Sequence, residues 1–235
     1  MERRLTNEFR KYVGSLGVEL IGICHVDSLR GAPQGKRPSD ILESAESIVV
    51  LGLSFLDDMV EKARSRIWSF HYIRVNGELD SAALKAARFL HGRGYSVVHI
   101  PSSVPFDTEA LIGDFSHKHA AVAAGLGEIG RNNLLLTPRY GPRIGVTSLI
   151  TSSPLTPTER RFEGPLCIEG CEACINACPV DALTGNRYDR WRGAEHRKDR
   201  CWARLVQLWS RDRVYGVDRL CGLCIKSCPV GRETR

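Results

Sequence analysis

Eight of the nine cysteines of this 235-residue chain fall between Cys167 and Cys228, in two groups that end on the same phrase. The first runs Cys167-Ile-Glu-Gly-Cys171-Glu-Ala-Cys174-Ile-Asn-Ala-Cys178-Pro179. The second is Cys201, standing alone, followed by Cys221-Gly-Leu-Cys224-Ile-Lys-Ser-Cys228-Pro229. No other feature restricts the fold as much. A repeated Cys-x-x-Cys-x-x-x-Cys-Pro run is the spacing that surrounds cubic iron–sulfur clusters with thiolates, and its last cysteine ligates the other cluster of a pair.

The ligand sets follow from that crossing. The tight Cys-x-x-Cys loop supplies neighbouring thiolates, and the cysteine before proline is predicted to open a helix that turns away, with proline fixing its first turn. One 4Fe-4S site is then Cys167, Cys171, Cys174 and Cys228, and the other is Cys178, Cys201, Cys221 and Cys224. All eight thiolates are used. Zinc ribbons need neither a third cysteine nor a proline after each pair, which argues against structural zinc. Disulfides fit less well: the chain reads without a signal peptide, and Cys24 sits alone in an apolar run, which suits a reducing cytoplasm. The spacing departs from the run at one place, since three residues rather than two separate Cys167 from Cys171.

The chain has room for a medium domain and a small one. Its composition is that of a globular protein, with no run near the ~20 apolar residues that would cross a bilayer, so no membrane partner is expected. The formal charge of +6 is unevenly placed: 20 Lys+Arg against 20 Asp+Glu up to Cys178, then 13 against 7. Between Arg187 and Arg213 the basic tail also carries Trp191, Trp202 and Trp209. Such interleaving suits nucleic acid, but a docking face for an acidic electron donor or a plain solvated helix is the commoner reading.

Upstream of the cysteines, helices and strands alternate. Residues 3 to 16 have helical apolar spacing, and Val18 to Val26 reads as a strand holding Cys24, a small buried hydrophobe without assigned chemistry. Ser39 is the expected N-cap of a short helix, and Ser47 to Phe55 a buried strand. A helical region from Asp57 to about Val75 carries the aromatic cluster Trp68, Phe70, His71 and Tyr72, and a second helix runs from Leu79 to His91. Ser96 to Ile100 is a further strand. Ser102 to Asp114 is an irregular polar loop, and Ser116 to Ala124 a short helix. Leu134 to Thr137 is expected to pair with Ile144 to Thr151, and Ser152 to Pro165 to link onward. The fold class is thus α/β (α+β) over residues 1–152, with a ferredoxin-like 4Fe-4S module over 153–235. Between lies Ala124-Gly-Leu-Gly-Glu-Ile-Gly-Arg131-Asn132-Asn133. It contains Gly-x-Gly-x-x-Gly, yet helix precedes it where a dinucleotide fingerprint needs a strand. Its glycines are expected to let backbone approach a large flat ligand.

The stretch from Ala124 to Arg143, ending Leu-Leu-Leu-Thr-Pro-Arg-Tyr140-Gly-Pro-Arg143, followed by the two cysteine groups, resembles the epoxyqueuosine reductase and reductive dehalogenase superfamily. Cys201 well ahead of Cys221 is similar to that family's second cluster. The resemblance implies an α/β domain related to flavin-reductase and cobalamin-processing folds, and cobalamin held between that domain and the cluster module. It also implies electrons passing from an external donor such as ferredoxin or flavodoxin through two clusters to cobalt, for removal of oxygen or halide from a substrate. By the same likeness Arg131, Asn132, Asn133, Tyr140 and Gly222 line the cofactor.

The family's acidic proton donor lies in a Val-Asp-Thr-x-Pro phrase thirteen residues before Ala-Gly-Leu-Gly, and here that position is Leu111. Asp107 and Asp114 flank it. The candidates for the acid are Asp114, His117 and Tyr72. With no match in these 235 residues to the helical-repeat domain with which those enzymes help hold tRNA, a small molecule or modified nucleoside is the expected substrate, ahead of tRNA. A non-catalytic electron carrier or cofactor-handling protein, with FMN or nothing in place of cobalamin, is the alternative.

Overall fold

The computed structural model describes residues 2–103, 106–107, 109–159, 162–211 and 220–232, with Phe106 and residues 209–211 described in their backbone only. Arg213 of the basic tail lies outside the described residues, and of Trp209 only the backbone is inside.

In chain order the elements are α1 (Glu2–Gly14), β1 (Leu20–His25), a 3-10 turn (Val26–Leu29), α2 (Pro38–Ile41), β2 (Ser47–Ser54), α3 (Asp57–Val60) and α4 (Arg66–His91). Then come β3 (Val97–Ile100), β4 (Phe106–Asp107), β5 (Ile112–Gly113), α5 (His117–Ala123), β6 (Glu128–Ile129), β7 (Leu135–Leu136) and β8 (Ile144–Thr151). The cysteine region adds α6 (Ala173–Asn176), α7 (Lys198–Arg211) and α8 (Leu223–Lys226). Among the described residues no helix is long and apolar enough to cross a membrane.

The chain forms two compact units, each made of three stretches of sequence. One comprises Met1–Leu53, Asn76–Leu126 and Gly145–Phe162; the other comprises Ser54–Val75, Gly127–Ile144 and Glu163–Arg235. The cysteine region is therefore completed by two segments from the first two-thirds of the chain.

The first unit is built on a four-stranded sheet of order β1-β2-β8-β3. β1 pairs antiparallel with β2, and β3 antiparallel with β8. Glu46 donates to the Thr151 carbonyl and Phe55 to that of Arg143, so β2 and β8 also run in opposite directions. Ile48, Val49, Val50 and Leu51 are fully buried, which accounts for an unbroken apolar run rather than an alternating one: both faces of the central strand are covered. α1 and α5 pack on β1. Phe9 and Tyr12 of α1 meet Phe89 of α4 with ring centroids 5.8 and 4.8 Å apart.

Three local expectations change. Arg37, not Ser39, is the N-cap of α2, because Pro38 takes the first helical position, where its missing N–H costs nothing. The two helices expected around residues 57–91 are the single turn α3 and then one 26-residue helix, α4, that runs through Gly77. Trp68, Val75, Leu79, Ala82, Ala83, Ala86 and Leu90 are buried along it, and this stripe outweighs the roughly 1 kcal/mol that one helical glycine costs. Leu135–Leu136 pairs with Glu128–Ile129, not with β8.

The second unit holds the α6 and α8 helices, which pack on one another, together with the β6–β7 hairpin and an aromatic group from the start of α4. Phe55 stacks on Tyr72 at 5.2 Å and meets Trp68 edge-on at 5.3 Å. Phe70 points outward, 49% exposed, beneath the Arg74 guanidinium.

Candidate functional site

The two short helices explain how the cysteine phrases work. α6 begins just before Cys174 and ends before Cys178-Pro179; α8 runs through Cys224 and ends before Cys228-Pro229. The helix thus precedes each cysteine–proline pair and stops there, the reverse of the expected start, because proline restricts the residue before it to non-helical backbone. One helical turn separates the inner cysteine of each phrase from the outer one.

The thiols gather in two sets. Cys167, Cys171, Cys174 and Cys228 line one cavity together with Arg131, Asn132, Leu136, Ile168, Pro229 and Val230. Burial, with Cys228 and Cys167 alongside, pushes the Cys174 thiol up to about 11. The Cys228 thiol is raised by burial and lies near Cys167 and Cys171. In the other set, the Cys201 thiol is raised by burial and by its neighbours Cys221 and Cys178. Cys224 is pushed up to about 12 by burial, then by Cys221, Cys201, Cys174 and Cys178. A cation bound among such crowded thiols would draw their protons off.

The donor sets fit a cube better than a single ion. Four sulfurs on one zinc would all sit about 2.3 Å from a common point. Cys167, Cys171, Cys174 and Cys228 instead share the wall of one cavity. Buried polar atoms left without a partner point the same way. Arg131 Nε, on a residue lining the first cavity, and Ser227 Oγ, beside Cys228, are both in this condition. So is Trp68 Nε1. Trp68 lies over Gly222, between Cys221 and Cys224, where a Cβ would strike its indole nitrogen at 2.5 Å. N–H donors beside a cluster find acceptors in its sulfur atoms, the interaction that tunes cluster potentials.

Two buried charges hold the walls, and the sequence reading passed over both roles. Arg143, 2% exposed, donates to the carbonyls of Cys228 (2.6 Å) and Val230 (2.9 Å) and lies 3.4 Å from the Asp57 carboxylate. Glu128, equally buried, accepts the Leu166 and Cys167 N–H groups and pairs with Arg190. The signal was available in each case as a lone charge within an otherwise apolar or glycine-rich run, which buries only when paired.

The residues expected to line a corrin all belong to the second unit, and Asn132 Nδ2 donates to the Cys224 carbonyl at 3.5 Å. Arg131 and Asn132 face the first thiol cavity. The Asn133 side chain stands against Gly193, and Gly222 is covered by Trp68. Tyr140 is buried in the turn where its N–H donates to the Thr137 hydroxyl. Of the glycine-rich turn, Gly127 is required by packing, since a Cβ there would overlap the Leu136 carbonyl across the β6–β7 hairpin.

Each acid candidate has its own surroundings. Asp114 is exposed and paired with Lys36 at 2.8 Å. The nearby Asp107 is exposed, its carboxyl held low by the Ala110 and Glu109 N–H groups. His117 is half-buried, with Nδ1 2.8 Å from the Ser148 hydroxyl and Nε2 3.0 Å from the Pro101 carbonyl. Tyr72, in the other unit, is half-buried on Phe55. Cys24 is buried and its thiol is pushed up to about 12 by that burial.

Residues 166–232 match the 4Fe-4S dicluster domain family. The tetrachloroethene reductive dehalogenase of Sulfurospirillum multivorans is 30% identical over 117 residues, 46% of this chain and 22% of that protein. The epoxyqueuosine reductase of Staphylococcus aureus is 27% identical over 274 aligned residues, 98% of this chain and 65% of that protein. The chain is homologous to both groups of reductases. Solved structures share the fold along the whole chain. An epoxyqueuosine reductase bound to a modified tRNA-Tyr stem loop superposes with a TM-score of 0.67 at 21% identity, covering 98% of this chain and 66% of that one. A reductive dehalogenase whose structure suggests a mechanism for B12-dependent dehalogenation gives 0.75 at 23% identity, covering 99% and 33%. The chain therefore spans less than two-thirds of the length of the curated relatives it matches, about a fifth of the first. Its mixed α/β fold carries a 4Fe-4S dicluster domain at its C-terminal end.

Proposed function

We propose that the chain is an iron–sulfur oxidoreductase that carries electrons over two 4Fe-4S clusters to a bound cobalamin. Its reaction is the reductive removal of oxygen or halide from a small molecule or modified nucleoside. The observation that supports this reading is the gathering of Cys167, Cys171, Cys174 and Cys228 along one cavity, with Cys201 near Cys221 and Cys178. Cys167, Cys171, Cys174 and Cys228 would hold one cluster, and Cys178, Cys201, Cys221 and Cys224 the other. Cobalamin, when bound, would supply a strongly reducing cobalt; its support here is the B12-dependent relative. The sheet-bearing unit takes the role that flavin-reductase and cobalamin-processing folds play in the resemblance.

This chain's own residues have definable tasks. Trp68 shields the Cys221–Cys224 loop from water, and Arg143 fixes the Cys228–Val230 backbone. Asp114 is the candidate acid with an exposed carboxyl, whereas both ring nitrogens of His117 are engaged by protein oxygens. Arg197, Lys198 and Arg200 are exposed at the start of α7, beside Cys201, and suit an acidic donor such as ferredoxin or flavodoxin in the cytoplasm. A tRNA substrate draws support from the relative solved with a stem loop.

Anaerobic purification with an iron, sulfide, cobalt and flavin inventory tests the reading. About eight irons per chain, and a spectrum that changes on cobalamin titration, are expected. Cys224→Ala should leave roughly four irons. Zinc in place of iron would overturn the proposal. A second reading, an electron carrier or cofactor handler without turnover, is favoured by Leu111 standing where the family's acidic proton donor lies. It predicts reversible two-cluster redox chemistry, with flavin or no cofactor and no response to cobalamin.

A further inference from the structure

We infer that Glu128 is a positioning residue for the first cluster, and that it compensates the irregular spacing between Cys167 and Cys171. The inference rests on the reading that Cys167, Cys171, Cys174 and Cys228 hold a 4Fe-4S cube. Residues 162–172 contain no helix or strand among the described positions, and Gly170 takes a left-handed φ of +72°. Nothing regular therefore sets the height of Cys167, one residue further from its neighbour than the usual run allows.

Glu128 supplies that restraint. Its Oε1 accepts two successive main-chain N–H groups, from Leu166 at 3.0 Å and from Cys167 itself at 2.7 Å. Its Oε2 pairs with Arg190 Nε, and Arg190 also donates to the Gly164 carbonyl at 2.6 Å. The loop is tied at Gly164, Leu166 and Cys167 to one buried ion pair. Glu128 belongs to β6, and the neighbouring Ile129 N–H donates to the Arg190 carbonyl at 2.8 Å, so the tether is rigid from both sides. The Tyr188 hydroxyl completes it, donating to the Ile129 carbonyl at 3.1 Å beside Glu128. A carboxylate accepting two amide hydrogens within a charge-assisted network is a strong, directional anchor. The charged residue of the glycine-rich turn thus acts on the backbone of a ligand.

The test compares Glu128→Ala, Glu128→Gln and Glu128→Asp with Cys167→Ala after anaerobic reconstitution. Its readouts are iron per chain, electron resonance of the oxidised protein and melting temperature. Glu128→Ala should reproduce the Cys167→Ala signature, loss of iron from the first cluster while the second is intact. Glu128→Gln keeps an oxygen for both N–H groups and should restore most of the iron. Glu128→Asp keeps the charge but draws the oxygen back, and should load worse than Glu128→Gln. The reverse order of those two, or a Glu128→Ala protein loaded like the wild type, overturns the inference. Equal loss from both clusters in step with a lowered melting temperature also overturns it, leaving a purely structural ion pair. A wild-type chain without iron would instead sink the cluster reading beneath it.

Discussion

His117 shows how one residue's surroundings decide what it can do. Burial lowers its pKa, and the Pro101 carbonyl and Asp80 oppose that only in part. Above an unfolded value of about 6.5 the imidazole is neutral in both states and the packing is fully effective. As pH falls below this, the unfolded chain takes up a proton that the folded chain refuses, so stability is lost towards the folded pKa. Melting temperature should therefore drop between pH 7.5 and 5.5, and His117→Gln should flatten the curve while costing about 1 kcal/mol at neutral pH for the lost hydrogen bond. Parallel curves for the two proteins would show that His117 titrates alike folded and unfolded. Cys24 illustrates the same control from the opposite side. With its thiol held near 12, it should resist alkylation at pH 8 in the native state, because the thiolate is the nucleophile.

At the scale of the element, two glycines separate opposite effects. Gly77 lies exposed within α4, and a Cβ there meets nothing within 4 Å. Gly77→Ala should stabilise the protein by roughly 0.5–1 kcal/mol in urea unfolding, through propensity alone. Gly222 is the left-handed N-cap of α8 (φ +68°), pressed under Trp68. Gly222→Ala should destabilise by about 1–3 kcal/mol and lower iron content at the Cys221–Cys224 loop. What the sequence disclosed about the elements divides along the same line. β2 and α1 were legible because an apolar run or a helical stripe is a local signal, and the cysteine phrases because ligand spacing is local too. The partner of Leu135–Leu136 was not, since strand pairing depends on which segments meet in space and β6 is only two residues long. Glu128 was hidden for a related reason: its amide partners lie 38 and 39 residues away.

On the scale of the molecule, chain order and structural unit diverge. A proline-bearing linker at residues 152–165 suggests a clean boundary, yet composition cannot reveal that 54–75 and 127–144 return to the cysteine-bearing unit. A fragment of residues 153–235 carries all eight clustered thiols but lacks Trp68, Glu128 and Arg143, the side chains that cover Gly222 and fix the backbone at Cys167 and Cys228. Reconstituted alone, it should hold well under the full iron complement and be digested quickly by trypsin, whereas the intact chain should resist. The discontinuous second unit thus has a genetic consequence. The cysteine-bearing part is not a cassette that recombination could lift out or graft elsewhere, so a lineage that keeps those thiols in place must inherit the upstream segments with them.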